Sequence, residues 1–269
     1  TNGRSGPVGD AGRLMAEGAT SAVEQTKIAL EVIKQLQPEL NAFAHIAPEA
    51  ELIAIAEALD AERANGKIRS PIHGLPISVK DVIHVKGMPT SSGSKVMEGF
   101  MPDDDATAVR LLREAGAIII GKAHTHEFAL GVTTPQSRNP WDTSRDPGGS
   151  SGGSAITIST GMSLLSLGTD TRASIRVPAS LCGTLGYKPT YGLVSTDGIV
   201  TLSWTMDHAG LMGRTSEDVA IMMNIIQGFD AKDSGTLDLP NDDYTDYLFK
   251  DVTGLRVGLA VAALEGADP

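Results

Sequence analysis

A single cysteine, Cys182, occurs in 269 residues. That excludes an internal disulfide and a cysteine-rich metal site, and it fits a reducing compartment, so a cytoplasmic location is expected. Basic residues are outnumbered: 22 Lys and Arg stand against 33 Asp and Glu, for a net charge of −11 and a pI near 4.9. A surface that acidic repels phosphate backbones, and no basic stripe interrupts it, so nucleic acid is not an expected partner. Long apolar runs are missing too. The stretch 117–120 is typical, and it is far too short to span a bilayer, so no membrane association is expected. The first residues, Thr1-Asn2-Gly3-Arg4, are polar and lack the apolar core of a signal peptide.

What is present is globular. Apolar residues make up 41% and charged residues 20%, and the length suffices for a large core in one domain or two small ones. No linker or internal repeat divides the chain, so a single domain over 1–269 is expected. Residues 8–66 read as helical. A helix over 21–36 opens on a cap at Thr20 or Ser21, with Glu24 in the capping-box position, and Pro38 is expected to stop it. Residues 48–64 form a second helix that Asn65-Gly66 ends. Ile77-Ser78-Val79-Lys80 reads as a short strand with Lys80 near its end. A helix over 105–115 leads into a buried strand at 117–121, and another buried strand is expected at 164–168. A helix followed by a buried strand points to an α/β layered fold. Residues 131–151 read as loop, 155–161 as helical or transitional, 183–194 as turn-rich and 230–246 as acidic loop. Thr215 or Ser216 caps a helix over 216–226. Leu255-Arg256-Val257-Gly258-Leu259-Ala260 reads as a final strand.

The most unusual segment is Gly148-Gly149-Ser150-Ser151-Gly152-Gly153-Ser154. A flexible linker is disfavoured, because structured apolar sequence resumes at Ala155. A phosphate-binding loop needs a Lys-Ser/Thr pair that does not follow here. A nucleophile elbow matches G-x-S-x-G on Ser150 or Ser151, but it requires a preceding strand, and Asn139-Pro140-Trp141-Asp142 to Pro147 is loop. The fourth reading rests on further blocks. Upstream stand Gly74-Leu75-Pro76-Ile77-Ser78-Val79-Lys80-Asp81 and Gly121-Lys122-Ala123-His124-Thr125-His126-Glu127-Phe128-Ala129. Downstream run Gly168-Thr169-Asp170-Thr171-Arg172-Ala173-Ser174-Ile175-Arg176-Val177-Pro178-Ala179, then Cys182-Gly183 and Gly186-Tyr187-Lys188-Pro189-Thr190-Tyr191-Gly192.

In content, order and the spacing of 24 positions from Ser150 to Ser174, these blocks resemble the amidase signature family. The resemblance implies an amidase signature fold, a large twisted mixed β-sheet covered by helices on both faces. It also implies hydrolysis of a carboxylic amide without a cofactor or metal. An amide is a poor electrophile with a poor leaving group, so the reaction needs an activated nucleophile, a stabilised oxyanion and an acid for the departing nitrogen. The resemblance assigns Ser174 as nucleophile, Ser150 as a bridging serine behind a cis peptide bond, and Lys80 as the base. A base must be neutral, so burial is expected to depress the Lys80 pKa. Backbone N–H groups of Thr171, Arg172, Ala173 and Ser174 form the implied oxyanion hole. Relatives usually carry two glycines where Arg172 and Ala173 stand; if those positions needed positive φ, both residues would be strained. Arg172 is expected to narrow the site or to donate to a polar or anionic substrate group.

Ser151 is expected to support the network or to stabilise its turn. Asp170 and Arg176 are expected to brace the loop. His124, His126 and Glu127 carry a metal-ligand pattern, but caps and hydrogen bonds are the expected roles. Cys182 reads as a small buried residue. Trp204, Met206 and His208 either shape the substrate cleft or pack in the core. Family domains generally run longer, so the resemblance implies that their C-terminal part is absent. A fragment, a processed subunit, or a second chain supplying that part is then expected, and dimeric relatives suggest a homodimer. A small-molecule amide is the expected substrate. The rival functions are the glutaminase-type component of a tRNA-dependent amidotransferase, and a non-catalytic scaffold on the same fold.

Overall fold

The computed structural model describes residues 6–261. Six strands form one mixed sheet in the order β1-β3-β2-β4-β6-β5, with β1 at Phe43–Ile46, β2 at Pro76–Lys80, β3 at Ile118–Ala123, β4 at Leu165–Asp170, β5 at Leu185–Tyr187 and β6 at His208–Gly213. The centre is parallel: β2 pairs with β3 on one side and β4 on the other. The flanking pairs, β1 with β3, β4 with β6, and β5 with β6, are antiparallel. Every residue of β2, β3 and β4 is buried. Because successive side chains point to opposite faces, both faces of the central sheet are covered.

The helices are α1 (Pro7–Ala16), α2 (Ala22–Leu40), α3 (Glu49–Ala64), α4 (Thr107–Glu114), α5 (Gly152–Thr160), α6 (Arg176–Cys182) and α7 (Ser216–Ile226). Ser21 caps α2 by accepting from Glu24 N at 3.1 Å. The expected stop at Pro38 is corrected: α2 runs through it to Leu40. Pro38 lies in the last turn, where few backbone bonds remain to be lost. The chain then leaves through Asn41 in the left-handed region, with the Gln37 carboxamide accepting from Ala42 and Phe43 N. Thr215 and Asp218 form a reciprocal capping box on α7. Thr215→Ala is expected to cost about 1 kcal/mol, read as a lowered urea midpoint.

The expected terminal strand at 255–260 is also corrected. Those residues pair with no strand among the described residues, and Leu255, Val257 and Leu259 are exposed. Apolar alternation alone does not make a strand without an edge to pair with. Conversely, β1, β5, β6 and α6 form where no such element was read. β6, His-Ala-Gly-Leu-Met-Gly, has no β-branched residue. It is held by pairing on both sides and by a close approach at Gly210, where a Cβ would lie 2.5 Å from Ile175 Cδ1 and 2.6 Å from Tyr187 O.

Candidate active site

The site lies where the C-terminal ends of β2 and β4 meet the N-terminus of α5. In β2, Ile77 and Val79 alternate with Ser78 and Lys80. The Ser78 hydroxyl sits in a buried cluster with Thr157 of α5 at 2.8 Å and Ser166 of β4 at 2.8 Å, so one face of the strand is polar and hydrogen-bonded although fully enclosed. Lys80 lies two residues on and is wholly buried. Its Nζ donates to Ser150 Oγ at 2.6 Å and to Thr169 Oγ1 at 2.7 Å. Burial pushes the Lys80 pKa down to about 7, against the pull of Asp170 and Asp207. A large fraction of its amine is therefore neutral near pH 7, with a hydroxyl in contact.

Ser150 is fully buried, and the Gly149–Ser150 peptide bond is cis. Gly149 leaves no room for a side chain, since a Cβ there would lie 2.0 Å from Thr133 O and 2.7 Å from Thr133 N. Gly149→Ala must displace backbone, and a loss of about 1–3 kcal/mol is expected in chemical denaturation. Ser151 opens α5. Its N–H donates to Ser174 O at 3.0 Å and its hydroxyl to Thr169 O at 3.1 Å. Ser174, almost fully buried, is thus fixed beside Ser150 through its own backbone. Among the described residues no hydrogen bond joins the Ser174 and Ser150 hydroxyls.

The loop 171–174 is anchored by everything except its amides. Arg176 Nη2 donates to Arg172 O at 2.6 Å, and Val177 N donates to Ala173 O at 2.8 Å. Asp170 sits beneath, accepting from Arg176 Nε at 3.0 Å, Arg176 Nη2 at 3.1 Å and Ile175 N at 3.1 Å. Burial would raise the Asp170 pKa, but these bonds, Arg176 foremost, hold it below the usual carboxylate value. The N–H groups of Thr171, Arg172, Ala173 and Ser174 donate to no other described residue. Consecutive amides without acceptors, beside a serine, make a place for a negatively charged oxygen. The non-glycine residues with positive φ are Asn41, Ser92, Phe128 and Ala129. Arg172 and Ala173 are not among them, so the loop holds its shape without the glycines that relatives use.

Thr169 was missed as a site residue in the sequence, although it binds both Lys80 and Ser151. Its position directly before the Asp170 brace was the available signal. His126 N donates to Ser150 O at 3.2 Å and its ring faces Thr133, while Glu127 accepts from Ser94 Oγ at 2.6 Å. Among the described residues no cluster of three His, Cys, Asp or Glu could hold a metal. Cys182 is buried with its pKa pushed up to about 12 by burial. Trp204 and Met206 are exposed, so core packing does not explain them. No described helix is long and apolar enough to cross a membrane.

The family model for amidases matches residues 24–269. The chain belongs to the amidase signature family. It is 45% identical over 261 residues to the GatA-type component of the glutamyl-tRNA(Gln) amidotransferase of Chloroflexus aggregans, covering 95% of this chain and 53% of that protein. It superposes on the peptide amidase of Stenotrophomonas maltophilia with a TM-score of 0.83 at 37% identity, covering 89% of this chain and 51% of that one. A chain of a vestigial protein complex, solved in work on the origins of an s-triazine catabolic enzyme, gives a TM-score of 0.88 at 38% identity, covering 92% of this chain and 55% of that one. The chain thus spans about half the length of the curated amidase relatives it matches.

Proposed function

We propose that this amidase hydrolyses a carboxylic amide through an acyl-enzyme on Ser174, with Ser150 and Lys80 as proton relay. The observation that carries the reading is the buried 2.6 Å contact between Lys80 Nζ and Ser150 Oγ. Neutral Lys80 draws the Ser150 proton, and Ser150 draws that of Ser174 as Ser174 Oγ attacks the carbonyl carbon. The carbonyl oxygen becomes an oxyanion against the amides of residues 171–174. The relay returns the proton to the leaving nitrogen, the C–N bond breaks, and the acyl group stays on Ser174. Water, deprotonated by the same relay, attacks the ester, and Ser174 leaves with a proton as the carboxylic acid is released. The Ser174–Ser150 link closes only with substrate in place, since such bonds are often loose in the free enzyme. A panel of primary and aryl amides tests this. Turnover with release of equimolar amine and acid supports it, and turnover surviving in the Ser174→Ala variant contradicts it.

A second reading is favoured by the 45% identity to a component of a glutamyl-tRNA(Gln) amidotransferase over 95% of this chain. Under it the substrate amide is glutamine and further subunits complete the assembly. Glutaminase activity that exceeds turnover of simple amides, together with co-purifying partner subunits, selects this reading. Its absence leaves the general amidase.

A further inference from the structure

Arg172 has replaced a glycine usual in relatives without straining the loop, and its side chain is unspent. The backbone carbonyl of Arg172 holds Arg176, but the exposed guanidinium forms no ion pair or hydrogen bond with any described residue. The neighbouring charges are otherwise engaged. Asp170 takes Arg176 in a bidentate pair. Asp207 accepts from Thr171 Oγ1, Leu202 N and Ser203 N. Lys188 Nζ lies 3.1 Å from His208 Nε2 and donates to Pro189 O at 2.9 Å. His208 Nδ1 faces the carbonyls of Met206 and Asp170, so Nδ1 carries the hydrogen and Nε2 accepts from Lys188. An uncommitted cation therefore stands at the rim of the serine loop in a protein of net charge −11.

Arg172 precedes Ser174 by two positions, a chain separation of at most about 7 Å, well within reach of a long flexible side chain. A guanidinium recognises carboxylates through a planar two-pronged contact. We propose that Arg172 is a specificity-determining residue, and that the preferred substrate is an amide bearing a carboxylate within a few bonds of its scissile carbonyl. This rests on the amide-hydrolase reading and narrows it.

The test compares kcat/KM within matched pairs: succinamate against pentanamide for a carboxylate on the acyl side, and N-butyrylglycine against N-propylbutyramide for one on the amine side. Wild type is expected to favour the anionic member of one pair by about tenfold or more, the size of a charged hydrogen bond. The favoured pair identifies the side. The ratio is expected to fall to about one in Arg172→Met, persist in Arg172→Lys, reverse in Arg172→Glu and shrink with added salt. The ratio, rather than the absolute rate, is the readout, so a general disturbance of the loop does not mimic the result. No anionic preference in wild type, or a preference that survives in Arg172→Met, overturns the inference. If neither pair turns over while a fluorophosphonate still labels Ser174, this inference is wrong and the hydrolase reading stands. If Ser174 is not labelled, the hydrolase reading itself has failed.

Discussion

Ser174→Ala is expected to lower amide hydrolysis by at least about ten-thousand-fold, the scale on which removal of a nucleophile is felt in serine hydrolases. Thermal stability should change little. Ser174 is placed by its carbonyl, which accepts from Ser151 N at 3.0 Å, and that bond survives loss of the hydroxyl. The Lys80–Ser150–Thr169 contacts and the Asp170–Arg176 brace do not involve the Ser174 side chain either. Steady-state assays together with a melting curve check both halves. A variant that melts like wild type and turns over within tenfold of it would remove Ser174 from the chemistry.

Lys80→Met is expected to cost about 10²–10⁴-fold, the usual contribution of a positioned base. Methionine fills a similar buried volume and cannot accept a proton. The pH profile gives a finer test. Burial brings the Lys80 pKa to about 7, and the neutral amine is the working form. In wild type, kcat/KM should therefore rise with pH up to about 7 and level off above it. Lys80→Met should lose that step. Stability follows the same group. In the unfolded chain the lysine titrates near its ordinary value of 10.5, so between about pH 7 and 10.5 the unfolded state holds a proton that the folded state has released. Across that window this group makes the fold more stable as pH rises, and the penalty of a buried ammonium is fully present below pH 7. Urea midpoints at pH 6 and pH 9 should thus diverge more in wild type than in Lys80→Met.

Much of this site was legible in the sequence because its parts are local. The alternation of Ile77 and Val79 with Ser78 and Lys80 marks a buried strand with a chemical face. The glycines around Ser150 mark backbone packed too closely for side chains, as Gly149 against Thr133 bears out. Thr215 and Asp218 announced a helix start that the structure places at Ser216. What was not legible depends on partners distant in the chain. β6 is built on Ala, Gly, Leu and Met, and becomes a strand through β4 and β5 on either side. Residues 255–260 alternate convincingly yet find no strand partner. Thr169 looked like one more strand residue until the fold brought Lys80 and Ser151 to it. The question raised by Arg172 and Ala173 was also a tertiary one: whether the loop needs positive φ depends on anchors at Ser151, Arg176 and Val177.

The central claim is that Lys80, acting through Ser150, activates Ser174. The measurement that tests it most directly is intact mass and peptide mapping after fluorophosphonate treatment of wild type, Lys80→Ala and Ser174→Ala. A single adduct on Ser174, much slower to form without Lys80 and absent in Ser174→Ala, is the predicted result. No adduct, an adduct on another serine, or labelling of Ser174 at the same rate without Lys80 would contradict the account, and total absence of labelling would favour a non-catalytic role for this fold.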